Sequence, residues 1–431
     1  MEEKQITFTT HNHVLDNNDN FSSDDLFLCY DTRGTVYNED IGNCQSIEKV
    51  NIATGEETVL WDPPSITGDR AAPGVGAVSY HPYEDKVIFI HGPNINEVKE
   101  RGYYGKTNRT ALEVAADGSR RHNLVEMRDV THNPTPPGAH RGGTHRHEYC
   151  RDGSRIGFTY DDFLVRNIDR TIGYMEANPA TPAGYTKFFA VILRPAEKGK
   201  ARPGEIEKAY GDSWVDSAGT MRAFIGKVRR EKGGYDEDLF VADIPKEVDI
   251  TTAFPGTRDT YPAPPEGIVI RRLTRGLHVS GIVRGSCDGT RIAFAAADRA
   301  GIPQLFVIRA DGSQRQPRQV TRLTHPVEAL RWHPSGRWIL FLSDGHLMAA
   351  WVGREQHPYG TLVQLTREKK ERQQLVLSHD GTLAAYDLPT PTRNEKNEVV
   401  KDASGHDFRQ IWVMRIDWEK VKAALPNEKK R

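Results

Sequence analysis

Short apolar segments separated by polar turns repeat along the whole chain, and this pattern predicts β-strands rather than helices. The clearest unit is residues 287–294, in which an Asp-Gly turn is followed, after Thr-Arg, by the apolar run Ile-Ala-Phe. Because Asp and Gly tolerate the positive φ of a tight turn, the unit predicts a hairpin whose second strand is buried on both faces. Related units start at seven places, covering residues 22–28, 81–89, 151–158, 217–224, 287–294, 333–341 and 379–386.

A third strand follows each hairpin, and several units end with a fourth strand that carries a Leu-Thr pair, as at Leu323-Thr324. Four strands per unit and seven units predict an all-β protein, a seven-bladed β-propeller of four-stranded blades. The last unit, residues 375–417, lacks its own fourth strand, and residues 4–7 resemble the missing one. We therefore expect the N-terminal strand to close the ring, which removes exposed sheet edges.

The units lie further apart in the first part of the chain than near the C-terminus. The additional residues are rich in Pro and Gly, so we interpret them as loops over one face rather than as a second domain. The predicted organisation is one propeller domain over residues 1–417, with insertions near residues 92–109, 168–212 and 245–267. Residues 418–431 are predicted to form a short tail with a helical pattern and a frayed, basic end.

Charge and hydropathy argue against several classes of partner. The 58 Lys+Arg and 59 Asp+Glu residues nearly cancel, which gives no electrostatic reason to expect a nucleic acid. Apolar runs long enough for a membrane span or a signal peptide are missing from the sequence, so we expect no membrane association and a cytoplasmic location. The four scattered cysteines fit thiols in a reducing compartment. Nucleotide-binding, zincin and serine-hydrolase motifs are absent as well.

The repeat resembles a known class. Residues 331–336, Arg-Trp-His-Pro-Ser-Gly, resemble the turn of TolB-like (WD40-like) repeats, in which Ile-Ala-Phe follows a Trp-Ser-Pro-Asp-Gly-like turn. Over its whole length the chain resembles the YidR-like family of uncharacterised bacterial proteins, which implies the propeller fold and no particular chemistry. This second resemblance is carried by residues 4–8 with Asn12 and His13, and by residues 87–93, 141–147, 158–161 and 264–274.

A more distant resemblance is to the oligogalacturonate lyases, which are cytoplasmic seven-bladed propellers of the same repeat class. These enzymes hold a divalent metal, typically manganese, with histidines and a glutamine at the top of the channel. Part of their metal site is a His-x-His ahead of an Asp-Gly turn, and His145-Arg146-His147 stands in this relation to Asp152-Gly153. The position of their glutamine corresponds to Gly142, so that ligand is missing here.

Propeller topology predicts which residues share a face. The loops that enter the innermost strands and the ends of the second strands open on a near face, whereas the Asp-Gly turns lie on a far face. We expect the site on the near face, at the channel mouth. The three histidines in the far-face turns are interpreted as structural turn residues; they are His81, His333 and His379.

Two histidines form the centre of the predicted metal site. Alternate residues of a strand point to the same side, so we expect His145, His147 and Tyr149 to face together. Two such imidazoles can bind zinc or manganese, with His91 as the third ligand. The fourth position is left open between His13, His278 and Asp161. The alternative is that this His-x-His pair binds no metal.

Arginine and tyrosine side chains on the same predicted face supply the other candidates. A guanidinium group can bind a carboxylate with two parallel hydrogen bonds, although a salt bridge at the channel rim explains a single arginine equally well. The predicted catalytic residues are Arg141, Tyr160 and Arg284. The predicted substrate-binding residues are His13, His278 and Arg33.

These candidates predict a metal-dependent carbohydrate-active enzyme, a β-eliminating lyase acting on uronate-containing oligosaccharides. Its cofactor would be a divalent ion, manganese or zinc, which would bind the substrate carboxylate and acidify the proton on the adjacent carbon. A metal-dependent hydrolase or isomerase with the same site is an open alternative. Another is a non-catalytic TolB-like propeller that binds a protein or peptide partner at the channel mouth.

Overall fold

Seven small antiparallel sheets form the blades of a propeller ring in the computed structural model of the chain. The structure describes residues 1–16, 19–34, 46–62, 74–94, 97–353, 357–402 and 404–426. The strands are β1 (Glu3–Gln5), β2 (Phe27–Asp31), β3 (Ile47–Asn51), β4 (Glu57–Trp61), β5 (Val75–Tyr80), β6 (Lys86–His91), β7 (Thr110–Ala115), β8 (His122–Leu124), β9 (Met127–Arg128), β10 (Ala139–His140), β11 (Gly142–Tyr149), β12 (Arg155–Asp162), β13 (Thr171–Glu176), β14 (Phe188–Val191), β15 (Ile206–Trp214), β16 (Met221–Arg229), β17 (Tyr235–Asp243), β18 (Val269–Arg272), β19 (Val279–Gly285), β20 (Arg291–Ala297), β21 (Pro303–Arg309), β22 (Arg318–Gln319), β23 (Glu328–Trp332), β24 (Trp338–Ser343), β25 (His346–Trp351), β26 (Leu362–Gln364), β27 (Gln373–Leu377), β28 (Leu383–Pro389), β29 (Thr392–Arg393), β30 (Val399–Val400) and β31 (Arg409–Arg415). The helices are α1 (Val98–Arg101), α2 (Trp418–Ala423) and a 3-10 helix (Ile250–Thr252).

Blades 2 to 6 each consist of four consecutive strands: β5–β8, β11–β14, β15–β18, β19–β22 and β23–β26. Blade 1 contains β2–β4, and its innermost segment is held by isolated bridges from Val14 to Asp31 and from Phe21 to Leu28. Blade 7 has the order β27-β28-β31-β1, with Gln5 opposite Trp412. The predicted fold class and the closure of the ring by the N-terminal strand are confirmed.

The seven predicted turns all connect the first and second strands of a blade. In blade 5, for example, Gly289 adopts φ 70°. The Asp288 carboxylate next to it accepts hydrogen bonds from the Ser286 hydroxyl at 2.5 Å and from the Thr290 backbone amide at 3.1 Å. The local residues therefore satisfy their own turn, which is why the motif was visible in the sequence.

A bulge interrupts the pairing of the first and second strands in each of blades 2 to 7. In five of these six pairs, the first strand advances by three residues at the bulge while the second advances by two, which exchanges the faces of the side chains beyond it. Blade 5 differs, with an advance of four residues against two, and blade 4 has a second bulge between Ile206 and Lys208. A residue with positive φ lies at each bulge and at the equivalent place in blade 1: Asp16, Ala77, Arg146, Gly211, Gly281, Ala329 and Gln374.

Apolar side chains fill the spaces between neighbouring blades. One cluster of buried residues combines Ile225 and Val241 of blade 4 with Ile292 and Phe294 of blade 5. Such face-to-face packing explains why the second strands are continuously apolar instead of alternating. The buried interfaces hold each blade in place and leave the first strands around the central axis, where polar side chains are found.

One expectation about the insertions is corrected. The segment 168–212, predicted as an insertion, contains β13, β14 and the start of β15, which are regular strands of blades 3 and 4. The helical pattern of the tail corresponds to α2, and Val421 and Leu425 pack into the apolar cluster of blades 6 and 7. The expected basic end, residues 427–431, lies outside the described residues.

Among the described residues, the helices are too short to cross a lipid bilayer. The longest of them, α2, has six residues.

Candidate functional site

A cavity of about 350 Å³ lies on the propeller axis, and residues from all seven blades line it. The ends of the first strands form its wall, and first-to-second-strand turns surround its mouth. Trp214 and Trp332 contribute their indoles, and Tyr83, which is 69% exposed, lies at the mouth. The cavity is therefore on the far face, whereas the sequence predicted a site on the near face.

The carboxylate of Glu148 is at the centre of the charged lining. Its Oε1 atom accepts a hydrogen bond from Ser213 Oγ at 2.8 Å and lies 3.3 Å from Arg284 Nη1, while Oε2 lies 3.2 Å from Arg222 Nη1. Burial alone would raise the pKa of Glu148, but the nearby arginines, with Arg146 among them, lower it. Glu148 is thus an ionised group that joins three blades in the channel.

Arg284 and Arg331 also line the cavity and are both largely buried. Burial lowers the pKa of Arg284 well below its ordinary value and that of Arg331 to about 10. The two indoles are held by backbone bonds: Trp332 Nε1 donates to the Arg284 carbonyl at 2.9 Å and Trp214 Nε1 to the Glu148 carbonyl at 3.0 Å. Cations and oriented aromatic rings thus share one enclosed space.

A histidine and an aspartate form a pair at the mouth of the same cavity. His379, a lining residue, lies 2.7 Å through its Nδ1 atom from Asp25 Oδ1. The hydrogen bond with Asp25 raises the pKa of His379. Asp25 also accepts the backbone amide of His379 at 2.9 Å, so the ring is held in one orientation. From the sequence, His379 was expected to be a structural turn residue.

The bulge at Arg146 separates His145 from His147. Pairing passes from His145 opposite Thr159 to Glu148 opposite Gly157, so the bulge places His145 and His147 on opposite faces of the blade. This corrects the expectation that His145, His147 and Tyr149 face together. His145 Nε2 lies 2.7 Å from Asp161 Oδ2 and 3.3 Å from Arg109 Nη2.

His147 belongs to a buried group between blades 2 and 3. Its Nε2 atom lies 3.0 Å from Thr144 Oγ1, which donates to Glu126 Oε1 at 2.7 Å. The same Oε1 atom of Glu126 lies 3.7 Å from His140 Nε2. Burial raises the pKa of Glu126 to about 7 and lowers that of His147 to about 4. These groups are fully enclosed.

His91, the third predicted metal ligand, lies at the end of β6 in a separate groove with Trp61 and His122. Burial lowers its pKa to about 4. The ring of His91 packs against Trp61, with ring centroids 5.9 Å apart, whereas His145 contacts Asp161 and Arg109. Metal binding by these three residues stays a prediction.

Arg141 and Tyr160, two of the predicted catalytic residues, are completely buried. Arg141 Nε donates to Asp162 Oδ2 at 2.9 Å, and its Nη atoms donate to the backbone carbonyls of Thr257 and Thr260. Tyr160 donates to the same Asp162 oxygen at 3.0 Å. These bonds attach the loop after β17 to blade 3, and a substrate would reach either residue only if this brace opened. Arg284 is the predicted catalytic residue that lies in the cavity.

The three predicted substrate-binding residues are not brought together. Arg33 is buried, and its guanidinium forms a bidentate pair with Asp31 at 2.7 and 2.6 Å and reaches Asp16 at 3.4 Å. His278 is exposed on the loop before β19 and has φ 50°. His13 is buried at the junction of blades 7 and 1, in a cluster that the sequence did not reveal. Substrate binding by these residues stays a prediction.

That cluster, here called the seam cluster, consists of His11, His13, Glu48 and Glu57. One ligand-type atom each from His11, His13 and Glu57 lies within 4.8 Å of the others, the only such group of three or more among the described residues. Burial lowers the pKa of His13. Glu57, which burial alone would shift upward, has its pKa lowered to about 2 by contacts with His13 and Thr9. The His11-Asn12-His13 spacing was a signal for it, whereas Glu57 had none.

Comparison with known proteins agrees with this architecture. The family described as "Protein of unknown function (DUF3748)" matches residues 74–181. The protein "Uncharacterized protein YidR" of Escherichia coli (strain K12) is 32% identical over 415 residues, which cover 89% of this chain and 94% of that protein.

Two solved propellers are similar in structure. "Oligogalacturonate lyase in complex with manganese" gives a TM-score of 0.54 at 11% identity and covers 97% of both chains. A putative TolB from Agrobacterium tumefaciens gives 0.42 at 16% identity, over 86% of this chain and 99% of that one. At 11% identity the lyase structure shows the fold alone. The match to YidR over nearly the full length of both proteins establishes that this chain belongs to the YidR-like family.

Proposed function

We propose that the chain is a carbohydrate-active enzyme that binds uronate-containing oligosaccharides in the axial cavity and cleaves them by β-elimination. The observation that carries the proposal is the presence of Arg284 and Arg331 beside Trp214 and Trp332 in one cavity. Guanidinium groups bind carboxylates, and indole faces offer the flat apolar surface that a sugar ring covers. The volume is in the range of small-molecule sites.

The lining also supplies groups suited to an elimination. A substrate carboxylate between Arg284 and Arg331 would be neutralised, which acidifies the proton on the adjacent carbon. We assign the base to His379, because the neutral ring with Nδ1 donating to Asp25 keeps Nε2 as a proton acceptor. The electron pair of the C–H bond then forms a C=C bond, the bond to the 4-linked sugar breaks, and that sugar leaves with a proton from water.

A divalent ion, manganese or zinc, is the second part of the proposal. The similar oligogalacturonate lyase is a complex with manganese, and the seam cluster offers nitrogen and carboxylate donors of the type that such ions prefer. An ion of this kind supplies positive charge and Lewis acidity when bound. The seam residues are not in the cavity lining, so we assign carboxylate binding to the arginines.

Binding and turnover are tested separately. We expect a trimer of galacturonate to bind, and a neutral trisaccharide of the same length to bind at least tenfold more weakly. Arg284→Gln and Arg331→Gln should weaken uronate binding about tenfold, or roughly 1.4 kcal/mol. The exposed Arg337→Gln is the matched control and should change nothing.

Turnover is followed by the ultraviolet absorbance of the unsaturated product. His379→Gln should abolish product formation and leave binding within about twofold, because it removes the base and keeps the cavity. Equal affinity for the neutral and charged trimers would refute the saccharide proposal. Binding without product in wild type would refute only the lyase step. If no product forms, we expect the function to be the binding of a protein or peptide partner, because the exposed Tyr83 at the mouth offers an apolar contact surface.

A further inference from the structure

We propose that the seam cluster is a divalent transition-metal site, of zinc type, that fastens the closure of the propeller ring. The inference deepens the metal part of the proposed function by giving the ion a place and a structural role. His11 and His13 lie on the segment that runs from β1, the outer strand of blade 7, into blade 1. Glu48 belongs to β3 and Glu57 to β4, both in blade 1. One ion would thus bind both sides of the junction.

The orientation of the His13 ring points its coordinating atom into the cluster. His13 Nδ1 is 3.2 Å from the backbone carbonyl of Arg409, which can only accept, so Nδ1 is the protonated nitrogen. In the neutral ring, Nε2 then carries a lone pair that faces Glu57 and Thr9. A ligand histidine whose other nitrogen donates to a carbonyl is the usual arrangement around protein-bound metals.

The hydroxyl groups in the cluster have too few protons to give both the ring nitrogen of His13 and the carboxylate of Glu57 a hydrogen bond. Thr9 Oγ1 donates to Glu57 Oε2 at 2.7 Å, so its single proton is used, yet the same oxygen lies 3.0 Å from His13 Nε2. Glu57 Oε2 is itself 3.4 Å from His13 Nε2. The lone pair of neutral His13 Nε2 therefore faces two oxygens, Thr9 Oγ1 and Glu57 Oε2, with no proton between them, and a cation at this place would convert repulsion into binding.

The separations match a metal site. Ligands about 2.1 Å from a tetrahedral ion are roughly 3.4 Å apart. His13 Nε2 and Glu57 Oε2 are 3.4 Å apart, and His11 Nε2 and Glu48 Oε2 have the same separation. Tyr30 OH donates to Glu48 Oε2 at 2.9 Å and orients that carboxylate. The side chain of His11 is 34% exposed, which leaves an entry path from solvent.

The test uses the full-length protein purified without a metal-binding tag, stripped with a chelator and then titrated with zinc chloride. We expect one equivalent of zinc to remain after dialysis, measured by elemental analysis. At free zinc about one hundred times Kd, the midpoint of thermal unfolding should rise by roughly 3–5 °C. Manganese should bind at the same place more weakly. Protonation of His13 Nε2 would also satisfy the oxygens that face this atom. Only a bound ion gives zinc in the elemental analysis, so the metal content distinguishes the two explanations.

Two variants locate the ion. Glu57→Gln keeps the side-chain shape, and His11→Ala changes a partly exposed residue, so both should fold; each should lose the bound zinc and the thermal shift. The exposed His325→Ala is the matched control and should retain both. Wild type without bound zinc, or Glu57→Gln with one full equivalent, would overturn the proposal. Uronate binding in the same Glu57→Gln sample should be unchanged, so failure of the seam site is distinguishable from failure of the proposed function.

Discussion

Glu148 Oε1 and Arg284 Nη1 lie 3.3 Å apart and join blades 3 and 5, which are not neighbours in the ring. The other carboxylate oxygen meets Arg222 of blade 4, which lies between them. Because this pairing spans three successive blades, it holds one part of the cavity wall together and also sets its charge. Ionic contacts inside the channel are thus part of the fold and of the candidate site at once.

We predict that Glu148→Gln destabilises the protein by about 3 kcal/mol, because the change leaves Arg222 and Arg284 without their shared buried anion. A shift of the urea midpoint measures this cost. Glu328→Gln, an exposed change on another first strand, serves as the control and should stay within about 0.5 kcal/mol. Equal stability of the two variants would mean that the carboxylate is not needed to hold these arginines.

Glu126 predicts a dependence of stability on pH. Burial raises its pKa from 4.5 to about 7, so the folded state holds the proton over a range in which the unfolded chain releases it. Its contribution to stability is complete below pH 4.5 and is lost as the pH rises through 7.

Glu126→Gln removes this titration and should be more stable than wild type by roughly 3 kcal/mol at pH 8, with the difference vanishing near pH 4.5. Thermal unfolding of both proteins across this range measures it. Because His140 and His147 titrate in both proteins, the difference isolates Glu126. A difference that is constant with pH would show that Glu126 is ionised in the folded state.

Arg141→Lys should destabilise the protein by about 2–3 kcal/mol, because an ammonium group cannot reproduce the three bonds to Asp162, Thr257 and Thr260. Limited proteolysis should then cut the loop near Thr257 faster than in wild type, whereas the exposed Arg337→Lys should leave the pattern unchanged. Loss of turnover with normal stability and normal proteolysis would instead support the catalytic role predicted from the sequence.

We predict that the positive-φ residues at the bulges are under backbone strain that glycine would relieve. Ala329 has φ 52°, which costs an L-residue roughly 1–2 kcal/mol, and glycine removes this cost. Ala329→Gly should therefore be nearly neutral despite the loss of a methyl group. Ala384→Gly, at a buried position of β28, should cost about 1–2 kcal/mol. Unfolding midpoints measured side by side check this, and equal losses would argue against strain at the bulge.

Local chemistry explains how much of the fold was predictable. Three of the seven turns contain Asp-Gly and satisfy their own hydrogen bonds, as Asp288 does for Ser286 and Thr290. Together with the related turns they allowed seven blades to be counted from the sequence. The strands at 171–176 and 206–214 were missed because Pro- and Gly-rich segments surround them. The closing strand was found because residues 4–7 resemble the strand that the last blade lacks.

The candidate site was less predictable, because its contacts are distant in sequence. His13 and Glu57 are 44 residues apart, and Glu148 and Arg284 are 136 apart. The bulge at Arg146 could not be predicted either, because Asp, Ala, Arg, Gln and Gly all occupy the equivalent positive-φ positions of the blades. Arg284 was selected from its place near the channel, but its partners could only be seen in the structure.

Because of the bulges, the alternation of side chains between the two faces of an inner strand is not continuous along the strand. Before the bulge, odd and even positions are assigned to the two faces of the blade in one way, and after it the assignment is inverted. Blade 5 differs because two additional residues restore the original assignment, and blade 4 differs because a second bulge between Ile206 and Lys208 inverts the assignment again. Across relatives, an alternating pattern on one side of the bulge therefore cannot be extended across it. Two residues only two positions apart can consequently have separate partners, as His145 has in Asp161 and His147 in Thr144.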